Sequence, residues 1–95
     1  MIVQFNQALD IVSDAMYVTP GEILSTSRKE QIVEARKILA SYLHYHLGYT
    51  PRYIGELLNK ERSTVRAMIK TWSDTTSIYN DKREMNDIIF KMLTA

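Results

Sequence analysis

Residues 50–69 read TPRYIGELLNKERSTVRAMI, and the spacing within them is that of two short helices meeting at a tight turn. Thr50-Pro51 is a helix start signal, a capping hydroxyl followed by proline at the first helical position. Ile54 and Leu58, four apart, share the inner face of the first helix, and Val65 and Met68 face inward from the second. Gly55 has no side chain, which lets the second helix approach closely. Asn59 stands where the turn needs a positive φ, which asparagine tolerates. Lys60 departs from the pattern, since such turns more often bury an apolar residue there. The register is that of a helix-turn-helix over residues 51–73.

The rest of the chain reads as helix around this motif. Phe5, Ala8, Leu9, Val12 and Met16 fall at helical spacing and predict a helix over about 4–17. Thr19-Pro20 opens a short helix through Leu24. Ser27 and Glu30 have capping-box spacing and predict the start of the longest helix, ending near Leu47 before Gly48. Its apolar stripe is Ile32, Ala35, Leu39, Tyr42, Leu43 and His46, with Lys29 and Arg36 along one edge. A final helix is expected from Ser77 or Asn80 to Leu93. No long alternating run bounded by turn signals marks a strand. The expected fold class is all-α, about six helices with a central helix-turn-helix, and residues 1–95 form a single domain.

Composition narrows the function. The 95 residues are 45% apolar and 24% charged, so a small core is feasible and disorder is excluded as the main state. There is no cysteine, hence no disulfide framework and no thiolate zinc site. No apolar run is long enough to span a membrane and no leader pattern opens the chain, so a cytoplasmic protein is expected. The net charge of +1 hides a gradient. Residues 1–27 carry a net −3, residues 28–70 a net +5 and residues 71–95 a net −1. A basic middle between acidic ends is a footprint for a polyanion.

The second motif helix carries the chemistry. Ser63, Arg66, Ala67 and Lys70 cluster opposite the stripe of Val65, Met68, Ile69 and Trp72, with Arg62 at its edge. A helix start offers free amides and a positive dipole end to phosphate. Ser63 and Thr64 reach phosphates or bases, Arg62 and Arg66 match the acceptors of guanine, and Ala67 is small enough for the helix to sit deep. Thr50, at the start of the first motif helix, completes the candidate contacts. His44 and His46 point about 200° apart on one helix, so no metal site is expected; His46 is expected to pack and hydrogen-bond on the inner stripe. Tyr42, Tyr45, Tyr49 and Tyr53 read as packing residues rather than base-stacking platforms. The carboxylates are scattered without a paired-acid motif. Neither cofactor nor enzyme activity is expected.

The segments ILSTSRKEQIVEARKILASYL and IGELLNKERSTV resemble the C-terminal DNA-binding domain of the bacterial replication initiator DnaA, a member of the Trp-repressor-like helical superfamily. Ile54-Gly55, Ser63-Thr64-Val65 and Arg36 match that family's pattern, and the likeness covers nearly the whole chain. It implies phosphate contacts from Ser27, Arg28 and Lys29, a minor-groove contact from Arg36, and major-groove reading by Arg62, Ser63 and Thr64. Glu61-Arg62 replaces the family's aspartate-histidine, and the turn is one residue shorter. No glycine-rich loop ending in Lys-Ser/Thr occurs, so no nucleotide is expected and the initiator's ATPase part is missing. A stand-alone relative or a fragment is therefore expected, binding double-stranded DNA sequence-specifically in replication or its regulation. The alternative is a module of the same fold that binds a replication or transcription protein.

Overall fold

In the computed structural model, which describes residues 4–95, six helices follow one another: α1 (Phe5–Ala15), α2 (Pro20–Ile23), α3 (Glu30–Tyr45), α4 (Pro51–Leu58), α5 (Arg62–Ile78) and α6 (Asn80–Thr94). No strand occurs among the described residues. The all-α class and the central helix-turn-helix, α4–α5, are as the spacing predicts.

The central element is α3, packed against α1, α2, α4 and α5. Its run Ile38-Leu39-Ala40-Ser41-Tyr42-Leu43 is buried on every side, which only a helix enclosed by others sustains. Against it lie Leu9 and Val12 of α1, Ile54 and Leu58 of α4, Val65, Met68, Ile69 and Trp72 of α5, and Ile89 and Leu93 of α6. His46 does not join them. It is exposed, with its ring stacked on Tyr42 at 5.4 Å. The hydrogen bond falls to His44 instead, whose Nδ1 lies 3.0 Å from the carbonyl of Tyr49. Tyr45 and Tyr53 are exposed, outside the core, with their rings edge-on to His44 at 5.0 Å and to Tyr49 at 4.8 Å.

The helix boundaries follow local chemistry. At α2, Thr19 Oγ1 accepts from the Glu22 amide at 3.1 Å and Glu22 Oε1 accepts from the Thr19 amide at 2.9 Å, a complete capping box. The box expected at Ser27 does not form. α3 starts at Glu30 with Lys29 uncapped, and the Ser27 hydroxyl accepts from the Lys29 amide at 3.3 Å within the preceding loop. Asn59 ends α4 in the left-handed region, φ 57° and ψ 46°, as the turn requires. α5 continues one turn beyond residue 73. There Thr75, Thr76 and Ser77 donate their hydroxyls to the carbonyls of Thr71, Ser73 and Asp74, which ties this weakly helical stretch to the turn before it. Tyr79 alone, in extended conformation, separates α5 from α6. α6 is fixed by Trp72 Nε1 donating to Asn86 Oδ1 at 2.8 Å and by Lys82 paired with Glu34 of α3 at 2.7 Å. The Glu34 carboxylate raises the Lys82 pKa by accepting its hydrogen bond.

Candidate nucleic-acid interface

The motif holds its second helix by close backbone contact. Gly55 is buried, and a Cβ placed on it would lie 2.4 Å from the carbonyl oxygen of Lys60. The space that glycine frees is thus taken by the turn, just before α5 begins, rather than by the body of α5. The Lys60 amide closes the α4 end on the Gly55 carbonyl at 2.9 Å. α5 then starts at Arg62 with no side-chain cap, which leaves its first amides and the positive end of its dipole to an outside anion. Arg62, Ser63, Thr64, Arg66, Ala67 and Lys70 are all exposed, and Val65, Met68, Ile69 and Trp72 are buried on the opposite side. Lys70 shares its charge with Asp74 at 3.3 Å, both exposed, a pair that solvent screens.

A second set of cations comes from the loop between α2 and α3, where Arg28 and Lys29 are exposed and Ser27 is half-buried. A depression of about 390 Å³ joins this loop to α5, lined by Ser27, Arg28, Arg36, Lys60 and Thr64 among others. Lys60 donates to the Ser25 carbonyl at 3.4 Å. Burial, and then the charges of Arg36 and Arg28, lower its pKa, so positive charge is concentrated here. At the start of α4, Thr50 Oγ1 accepts from the Tyr53 amide at 3.1 Å and the neighbouring Arg52 is exposed.

Arg36 corrects an expectation. Its guanidinium does not reach outward, and the residue is only 5% exposed. Nε donates to the Ile23 carbonyl at 2.6 Å, Nη1 to the Ser27 carbonyl at 2.6 Å, and Nη2 to the carbonyls of Ser25 and Glu22 at 2.7 and 3.1 Å. One side chain thereby satisfies two carbonyls at the end of α2 and two in the loop. Loss of water around the buried charge lowers its pKa. In this conformation Arg36 positions Arg28 and Lys29, and its head is spent on backbone instead of a DNA groove.

The structure brings Ser27, Arg28, Thr64 and Lys60 around one depression and places Arg62, Ser63, Arg66 and Lys70 on the adjoining helix face. Lys60, in the depression, and Arg52, beside Thr50, are not among the candidate contacts that the sequence offers. The sign for Lys60 was its departure from the motif, a cation where an apolar residue is usual. The sign for Arg52 was its place beside the start of α4. Among the described residues no cluster of three or more His, Cys, Asp or Glu could hold a metal ion, and no helix is long and apolar enough to cross a membrane.

The family model described as the bacterial dnaA protein helix-turn-helix matches residues 5–71. Over 57 residues, 60% of this chain, the sequence is 37% identical to the chromosomal replication initiator protein DnaA of Thermosipho africanus (strain TCF52B), covering 13% of that protein. Over 62 residues, 65% of this chain, it is 37% identical to the chromosomal replication initiator protein DnaA of Kosmotoga olearia, covering 14% of it. The matched region thus spans about one seventh of the length of these relatives.

Proposed function

The chain belongs to the bacterial DnaA helix-turn-helix family, and from that premise we propose that it binds double-stranded DNA sequence-specifically, without catalysis, in replication initiation or its regulation. In this reading the 95 residues act as one DNA-binding domain and α5 enters the major groove by its amino end. The observation that carries it is the uncapped start of α5, with an exposed Ser63–Arg66–Ala67–Lys70 face beside the cations Arg28, Lys29 and Lys60. Arg62 and Arg66 pair with guanine, and Ser63 and Thr64 reach bases or phosphates. Ser27, Arg28, Lys29, Lys60 and Thr50 hold the phosphate backbone. Such contacts fix the register of the domain on the duplex without themselves reading sequence.

Two outcomes test this. With about five phosphates neutralised, log K falls with log salt at a slope of about −4 to −5. Fluorescence anisotropy with random duplex DNA at two or more salt concentrations measures it, and a slope near zero removes the proposal. Arg62→Ala weakens the preferred site by roughly 1–3 kcal/mol while leaving random DNA nearly unaffected, because a bidentate guanine contact reads sequence. Selection from a random duplex library by wild type and variant is the measurement. Recovery of the same core bases at the same strength would remove Arg62 from the reading head.

A further inference from the structure

A groove between α1 and α6 has no part in the DNA reading. Ala15, Met85, Ile88, Ile89 and Met92 form its apolar floor and Asp81 and Glu84 its rim, enclosing about 420 Å³. Ile88 is 61% and Met92 44% exposed, although each sits on the apolar stripe of α6. A second hollow adjoins it at Ala15 and Met85 and carries Glu30 and Glu34. Among the described lining residues of both hollows Lys82 is the sole cation, and it is engaged with Glu34. By the 100° rule Lys91 shares the Glu84 edge and Arg83 lies on the far side of the helix. The main groove lies mostly on α6, beyond the matched residues 5–71, and shares no residue with the depression beside α5.

Tyr17 adds an independent observation. It ends α1 at φ 57°, a left-handed position that glycine or asparagine fills at less cost. The Val18 amide closes the helix on the Ser13 carbonyl at 3.0 Å. Its ring nevertheless stands 90% exposed, at the edge of the second hollow. The left-handed backbone closes the helix, a task that glycine or asparagine would do as well; the bare aromatic ring that tyrosine adds there is left for contact.

We propose that this groove docks a basic amphipathic helix of a partner protein, with apolar side chains on Met85, Ile88 and Met92, cations on Asp81 and Glu84, and Tyr17 closing over one end. The rim selects the occupant. Cations on an incoming helix would be attracted to it, and anionic lipid would be repelled. Helix-in-groove recognition lays the apolar face of a helix into such a trough, and carboxylates on its rim favour cations on the incoming helix.

The probe is a Lys/Leu amphipathic peptide of about fourteen residues, four helical turns, titrated into the isotopically labelled 95-residue chain by NMR, with a Glu/Leu peptide as control. Shifts should map to Ala15, Tyr17, Met85, Ile88 and Met92 for the basic peptide alone, and persist with duplex DNA bound. Ile88→Lys with Met92→Lys should raise Kd by about tenfold or more, as loss of a central apolar anchor does. Glu84→Lys should raise it about threefold through the rim. Tyr17→Asn should weaken binding while the thermal midpoint stays level or rises, which separates recognition from folding. Shifts elsewhere, equal binding of the acidic peptide, undiminished affinity in the folded Ile88/Met92 variant, or a concentration-dependent dimer through this face would each overturn the proposal. None of these outcomes depends on DNA affinity.

Discussion

Arg36→Ala lowers the thermal midpoint by about 12–24 °C, the equivalent of roughly 3 kcal/mol in a domain of this size. The four carbonyls it serves, those of Glu22, Ile23, Ser25 and Ser27, lose a charged donor, and in the buried part of the loop water replaces it poorly. Arg36→Lys does not restore stability, because an ammonium on a flexible stem cannot span the loop as the planar fork does. Differential scanning calorimetry gives the midpoint, and anisotropy at a temperature where the variant is folded gives DNA affinity. If Arg36 instead served as a minor-groove reader, the midpoint would hold and affinity for A·T-rich sites would fall. An unchanged midpoint would therefore dismiss the positioning role.

Gly55→Ala costs about 2 kcal/mol, or about 8–16 °C in midpoint, although alanine is the better helix former by about 1 kcal/mol. The methyl would stand 2.4 Å from the Lys60 carbonyl oxygen. That atom is backbone and cannot rotate away, so the turn must move. Moving it displaces the start of α5, so selective DNA binding falls further than binding to random duplex. Gly55→Leu is worse. A chemical-denaturation midpoint for Gly55→Ala equal to wild type would show that the turn has room after all.

The residues that identified the motif were legible because each answers to a local rule. Ile54, Leu58, Val65 and Met68 fall on the period of a helix, and all four are buried. Asn59 stands at the one place in the turn that needs positive φ. The minor-groove contact that the resemblance implies for Arg36 is not made in this conformation; periodicity gives its direction from the axis and says nothing of a loop folded over that direction. Its partners lie nine to fourteen residues earlier in segments with no period of their own. Ser27 failed as a cap for the same reason, since the loop tethered by Arg36 reaches α3 only at Glu30. The overrun of α5 to Ile78 escaped because Thr75, Thr76 and Ser77 are weak helix formers that hold the helix here by bonding back to it. Tyr17 was invisible as a contact residue, since nothing in a sequence marks a tyrosine as left-handed.

The single extended residue between α5 and α6 has a mechanical meaning. α5 is a rod of 17 residues, about 26 Å long, with Arg62 at one end and the root of α6 at the other. The core grips it at Val65, Met68, Ile69 and Trp72, nearer to the Arg62 end. About that fulcrum the arm towards Ile78 is about 14 Å and the arm towards Arg62 about 10 Å. Were a tug on α6 to rock the rod as a rigid body, the displacement at Arg62 would be about a third smaller than that at the root of α6.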